Sequence, residues 1–215
     1  MTLSKSLILT AFIGLLAACG NDTSRPDIGA STLVNVAKGV VGREETPASP
    51  TAAQLREAIT PEFRAQSGNK PLIIATSLRV PVSSIMTMFA QNGDVRTYLS
   101  PDVISFSLRN GVVIASRGLG FDLMSADVSG VLPRVRAGSG RAVRVHRYLD
   151  GENQEVLRSF VCDFSTVAPR TVVEDCRSPD IGFQNRYVLD GAGNIAVSEQ
   201  WISPKLQSYR IEEIR

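Results

Sequence analysis

The strongest demand on the fold comes from Asn110-Gly111, which sits between two apolar runs. This dipeptide takes positive φ at both central positions of a type I′ turn, and that turn has the twist two antiparallel strands need. On one side Ile104, Phe106 and Leu108 alternate with polar residues; on the other the chain returns through Val112-Val113-Ile114-Ala115-Ser116. Folding about the turn places Leu108 opposite Val113 and Phe106 opposite Ala115, on one shared face. A one-residue slip would turn that face to solvent, so burial specifies the register.

The rest of the chain extends this pattern. Leu72-Ile73-Ile74-Ala75-Thr76-Ser77-Leu78 is a short apolar run of the kind a buried strand presents. Gly118–Asp127 breaks the β pattern and accommodates a short helical turn, and Gly118-Leu119-Gly120 marks a backbone bend needing positive φ rather than a phosphate-cradling loop. Further strands are predicted at Arg141–Leu149, Val156–Phe164, Thr171–Cys176, Phe183–Leu189, Ile195–Ile202 and Leu206–Ile214. Asp150-Gly151, Asp190-Gly191-Ala192-Gly193-Asn194 and Ser203-Pro204 supply turns between them. Consecutive strands without intervening helices mean meanders of hairpins. The expected fold is mainly β, an antiparallel β-sandwich or open barrel, with one or two short N-terminal helices. Thr51 and Gln54 form a capping box ahead of Leu55 and Ile59, and Pro61 ends or kinks that helix.

The N-terminus carries a different kind of information. Lys5 is the only charged residue before Cys19, and Leu7–Leu16 is apolar but far short of the roughly 20 residues that cross a bilayer. A positive start, a short apolar stretch and small residues describe a secretory signal peptide. Leu16-Ala17-Ala18-Cys19 then resembles the lipobox of bacterial lipoproteins, in which small side chains fit the cleavage pocket and the cysteine thiol takes the lipid. Two or more acyl chains hold where one does not. The expected organisation is a signal peptide over 1–18, a lipid-anchored tether over 19–50 with a short helix at Ser31–Val41, and a β-rich periplasmic domain over 51–215. Gly20-Asn21 follows the cysteine without the aspartate that in enterobacteria retains a lipoprotein at the inner membrane. That resemblance implies the periplasmic leaflet of the outer membrane.

Without residues 1–18 the chain keeps 22 basic residues against 21 acidic ones, a formal charge of about +1. Such balance argues against nucleic acid and against a polybasic membrane patch as partners. Once Cys19 is lipidated, Cys162 and Cys176 remain as an even pair in an oxidising compartment. They flank Thr166–Arg170, where the chain can turn back, and lack the Cys-x-x-Cys spacing of a redox centre. A structural disulfide is expected.

Catalytic residues are scarce. His146 is the one histidine, and no Gly-x-Ser-x-Gly elbow or Asp-x-Asp-x-Asp-Gly loop occurs. Glu44-Glu45, Glu174-Asp175 and Glu212-Glu213 are adjacent pairs, which on a strand point to opposite sides. Within Arg141–Leu149 the alternation turns Val143, Val145 and Leu149 inward and leaves Arg144, His146 and Tyr148 outward, either a solvated strand face or a row that binds a sugar or an anion. Trp201, the single tryptophan, is either a sugar-stacking platform or a core anchor. No cofactor or metal is expected.

Arg109–Met124, the Cys162 and Cys176 pair, and Gln200-Trp201-Ile202-Ser203-Pro204 together resemble the YjbF/GfcB family, lipoproteins of exopolysaccharide and group-four capsule gene clusters. The resemblance spans about residues 60–215, and its most specific part is the central Arg-Asn-Gly to Asp-Leu segment. It brings no catalytic residues. It implies a non-enzymatic lipoprotein assisting polysaccharide export or assembly, with envelope export proteins or the polysaccharide itself as partners. The rival expectations are a polysaccharide-modifying enzyme, with a carboxylate pair assembled from distant strands, and a lipoprotein that only stabilises an outer-membrane partner.

Overall fold

The computed structural model describes residues 49–80, 82–149, 152 and 154–214. The expected signal peptide, Cys19 and the helix expected at Ser31–Val41 lie outside these residues.

Two short helices lead in. Thr51 caps α1 (Ala52–Ala58) with its hydroxyl accepting from the Gln54 amide, while the Gln54 side chain accepts from the Thr51 amide, which completes the capping box. Pro61 ends α1 by opening a second helix, α2 (Pro61–Gln66), at whose first turn its missing N–H costs nothing. Next come β1 (Leu72–Ser77), β2 (Ser83–Asn92), β3 (Val95–Leu99), β4 (Ser105–Arg109), β5 (Val112–Arg117) and β6 (Leu123–Asp127). α3 (Val131–Ala137) follows, and then β7 (Ser139–Leu149), β8 (Glu155–Ala168), β9 (Thr171–Arg177), β10 (Gly182–Leu189), β11 (Ile195–Ser203) and β12 (Gln207–Ile214). α1 packs on β1 and β2. Leu72, Ile73 and Ile74 are therefore all buried, and β1 reads as a continuous apolar run instead of an alternating one.

All twelve strands pair antiparallel in one sheet ordered β5-β4-β3-β2-β1-β12-β11-β10-β9-β8-β7-β6. The two end strands, β5 and β6, are consecutive in the chain, so the sheet curls until its ends meet and forms a nearly closed barrel. Side chains stitch that seam. Arg117 donates to the carbonyls of Leu123 and Met124 at 3.2 and 3.0 Å, and Ser116 accepts from the Leu123 amide at 3.0 Å while donating to Asp122 at 2.7 Å. Inside, Gln200 on β11 accepts from the Val113 amide and donates to the Gly111 carbonyl, at 2.9 and 2.8 Å. Backbone groups that an open edge would leave unpaired are satisfied in this way.

The Asn110-Gly111 turn forms with φ of 49° and 87°. Leu108 faces Val113 as expected. A bulge beyond it shifts the pairing, so Phe106 faces Ser116 rather than Ala115. Gly111 approaches β11 so closely that an added Cβ would lie 2.8 Å from the Ile195 Cβ. Gly118 and Gly120 take φ of 89° and 85°, the bend expected of them. One further expectation is corrected. Gly118–Asp127 holds no helix but leads into β6, and the helix comes later as α3. Val131 and Val135 share the buried face of α3, and Gly138 closes it in the left-handed conformation at φ 69°. β2 and β3, which mix polar with apolar residues, complete the sheet.

Candidate functional site

The row Arg144, His146 and Tyr148 points into the barrel, opposite to the facing expected from sequence. These side chains are 1%, 0% and 3% exposed, whereas Val143 is 55% exposed on the outside. The reason lies in the next strand. β8 alternates buried Phe160, Cys162 and Phe164 with exposed Ser159, Val161 and Asp163, and pairs Arg144 with Phe160 and Val143 with Val161. Even positions of β7 therefore share the interior with the heavier apolar set on β8. The hairpin parity and the phenylalanine alternation were both in the sequence, but β7 alone, with valines on one face and charges on the other, suggests the reverse.

A buried charge survives there because its counterion is built in. Arg144 Nη1 lies 2.7 Å from Glu174 Oε2 on β9, with both side chains at most 1% exposed. Tyr187 Oη and Asn185 Nδ2 on β10 donate to the same carboxylate oxygen at 2.7 and 2.8 Å. The Asn185 side-chain Oδ1 accepts from the Trp201 backbone amide at 2.7 Å, which carries the network to β11. Burial, and then the neighbouring Glu174 carboxylate, push the Tyr187 phenol well above its usual range. Four strands are thus fixed to one carboxylate, which would be costly to bury unpaired.

His146 sits beside this network in an aromatic cage. Its ring stacks near Phe183 and Trp201, with centroids 5.8 and 5.7 Å away, and meets Phe160 edge-on. Phe183 and Trp201 stack on each other at 4.5 Å. Neither imidazole nitrogen finds a hydrogen-bond partner among the described residues. Burial and the Arg144 charge hold the ring well below its ordinary pKa, so it is neutral. Trp201, 4% exposed, is a core anchor of this cluster. In this structure none of the four expected ligand-binding side chains, Arg144, His146, Tyr148 and Trp201, presents a face to an external sugar.

Cys162 and Cys176 are joined, directly opposite each other across β8 and β9. Their Cα atoms are 4.0 Å apart, just short of the 4.4–6.8 Å usual for a disulfide. Close cross-strand pairing explains the short distance. With Glu174 they make up a cluster of ligand-type side chains among the described residues, but its sulfurs are bonded to each other instead of offering thiolates.

What faces solvent is one mouth of the barrel. Inner positions of β3 and β12 that are apolar deeper in become ionic there: Arg96 follows Tyr98, and Glu213 follows Ile211. A cleft of about 300 Å³ opens between them and α3, floored by Tyr98, Leu108 and Ile195, with Asp94 and Arg136 on its walls. A second concavity of about 220 Å³ shares Arg96, Tyr98 and Glu213 and runs on to Arg64 and Lys70 at the α2–β1 connection. Burial pushes the Tyr98 phenol up; a hydrogen bond with Arg96 partly offsets this and Glu213 adds to it. Apart from Leu108, none of these mouth residues stands out in the sequence, since they come from six separate elements and no local spacing links them.

Among the described residues no helix is long and apolar enough to cross a membrane. No curated protein matches the chain. The fold is similar to the crystal structure of the hypothetical lipoprotein YmcC from Escherichia coli K12, with a TM-score of 0.60 and 14% identity. The match covers 78% of this chain and 97% of that one. Residues 56–214 match the family described as group 4 capsule polysaccharide lipoprotein gfcB, YjbF. Since that match takes in Arg109–Met124, the cysteine pair and most of the barrel, the chain belongs to the YjbF/GfcB family of capsule polysaccharide lipoproteins.

Proposed function

We propose that this protein is cut before Cys19, lipidated on that cysteine, held at the periplasmic leaflet of the outer membrane, and assists export or assembly of an extracellular polysaccharide without catalysing a reaction. Family membership supports the pathway. The observation that carries the non-catalytic reading is the burial of His146, the chain's one histidine, as a neutral ring stacked among aromatics. General acid–base work needs a titrating group within hydrogen-bond reach of substrate, and His146 is enclosed on every side.

One observation favours the rival, a glycan-modifying enzyme: the mouth brings the carboxylates of Asp94 and Glu213, from distant parts of the chain, to one cleft. Asp94 is also engaged by Arg109 at 3.3 Å. A clean deletion, with surface polysaccharide measured, tests the pathway; unchanged polysaccharide ends it. Complementation with Cys19→Ala tests the anchor, which requires loss of labelling by a palmitate analogue. Complementation with Glu213→Gln tests catalysis. A folded, lipidated Glu213→Gln protein that behaves like the deletion, and whose purified form no longer alters a glycan that the wild type alters, replaces the export reading with the enzyme.

A further inference from the structure

We propose that the barrel mouth is a binding site for an acidic saccharide, with Arg96 at its centre gripping a sugar carboxylate. The inference rests on the export reading above for the class of ligand and deepens it by naming the surface that meets the glycan.

Three observations lead to it. First, Arg96 occupies an interior-facing position on β3, across from buried Leu108 and two residues from buried Tyr98. A barrel end that only needed closing would place an apolar side chain there. An exposed guanidinium over an apolar floor instead places a planar fork of donors at the cleft, one of them shared with the Tyr98 phenol, in the geometry that suits a carboxylate.

Second, charge is concentrated there. The two adjoining concavities are lined by Arg64, Lys70, Arg96 and Arg136 against two acids, Asp94 and Glu213. The mature chain as a whole is close to neutral, so this local excess of cations is a property of the mouth. Clefts lined by one sign of charge raise the local concentration of oppositely charged ligands.

Third, the remaining polar groups suit hydroxyls. Asn110 and Asn194 on the larger cleft and Asn69 on the smaller offer amide donors and acceptors. The larger volume, about 300 Å³, lies at the small end of ligand sites and fits a sugar unit or two. The continuation toward Lys70 lets a chain of sugars run on past Arg96 instead of ending there. With cations outnumbering acids at the mouth, an acidic glycan gains more there than an uncharged one.

The test uses the full lipidated chain in detergent, titrated calorimetrically with tri-galacturonate and with its methyl ester as the neutral control. Tri-galacturonate is expected to bind, more weakly as salt rises, and the ester at least tenfold more weakly. Arg96→Gln is expected to weaken tri-galacturonate binding by about tenfold or more, the worth of one charge-assisted contact. Arg136→Gln and Lys70→Gln, at exposed positions where folding is not at stake, should each weaken it by a smaller factor. Arg141→Gln, on the outer face and paired with Asp163, should leave it unchanged. Equal affinity for acid and ester, no binding of either, or mouth variants that bind as the wild type does, each overturns the site. Polysaccharide loss on deletion, without binding of tri-galacturonate, removes the site and leaves the export role. Binding together with unchanged polysaccharide on deletion keeps the site and removes the export role.

Discussion

The barrel encloses two cores built on different principles. Around β1 to β5 the interior is Ile73, Ala75, Met86, Tyr98, Phe106, Leu108 and Val113, with Leu123, Ile202 and Ile211 closing over them. This is an apolar cluster whose cohesion is non-directional. Around β7 to β11 the same depth of burial holds a guanidinium, a carboxylate, an imidazole and a disulfide among aromatic rings. Apolar packing loses stability in proportion to the volume removed and tolerates exchange of similar shapes. A buried ionic network fixes strand positions to single atoms and is intolerant of losing any one of them. The second half should therefore respond to pH, to reductant and to single-atom substitution, and the first to none of the first two and only gradually to the third.

The largest effect expected is from breaking the Arg144–Glu174 pair. Arg144→Met leaves Glu174 buried without its counterion and should cost about 3–5 kcal/mol. Adding Glu174→Leu removes the orphaned charge, so the double variant should be more stable than Arg144→Met alone. It should not return to the wild-type value, because Tyr187 and Asn185 lose their shared acceptor. Denaturant melts of the three proteins check the order, and a double variant less stable than the single would mean that Tyr187 and Asn185 satisfy Glu174 without Arg144, so that no orphaned charge was left to remove.

Next in size is the Cys162–Cys176 bridge. Closing a loop of this length should contribute about 3 kcal/mol in the chain-entropy model, so Cys162→Ser with Cys176→Ser should lower stability by about 2–4 kcal/mol. Both positions are fully buried, and the lost sulfur packing adds to the entropic part. Reductant should lower the wild-type melting midpoint and leave that of the double serine variant unmoved.

These two features were unequally legible. The disulfide could be read from chain arithmetic: an even pair, an N-terminus that reads as a signal peptide, and a turn between the cysteines. The ion pair could not. Arg144 and Glu174 are thirty positions apart on strands that flank a third, and only the register of two hairpins brings them together. Strands with clear alternation or with Gly and Asp turns at their ends were predictable, as were the capping box at Thr51 and the Asn110-Gly111 turn. β2 and β3 were not, because Ser, Thr, Gln and Asn dilute their pattern. The barrel mouth was illegible for the reason that holds for most binding surfaces, that its residues converge only after the sheet closes. The facing of β7 shows a subtler failure. Hydrophobicity predicts the inner face of a strand only when the interior is apolar, and here the interior carries its own charges.

A third and smaller effect separates the cores by pH. His146 has a pKa well below its ordinary value of about 6.5, so between the two values the unfolded chain binds a proton that the folded one does not. Stability is full above the unfolded value and falls as pH drops below it, by at most about 1.4 kcal/mol per pH unit from this residue. The decline continues until the folded pKa is reached. Denaturant midpoints measured from pH 7.5 down to 5 should show this slope. His146→Phe, a ring that suits the cage of Phe160, Phe183 and Trp201, should remove it. A slope that persists in His146→Phe would assign the acid sensitivity to other groups.

The smallest effect belongs to the apolar core and serves as the reference for the others. Ile73 is fully buried on β1, with Met86 and Glu213 as its neighbours on β2 and β12. Ile73→Val deletes one methyl group and keeps the β-branch that a strand favours, so it should cost about 0.5–1.5 kcal/mol. No sulfur bridge lies in that cluster, and its titrating side chains, Tyr98 and Tyr209, are phenols that burial pushes up, so they stay protonated at these pH values. The loss should therefore be the same at pH 7.5 and pH 5.5, and the same with or without reductant. Combined with His146→Phe it should add, since the two sites sit in separate clusters and share no hydrogen-bond network. If instead the cost of Ile73→Val grows on acidification or reduction, the two cores are coupled through the strands between them, and the barrel behaves as one cooperative core with a polar seam rather than two cores under one sheet.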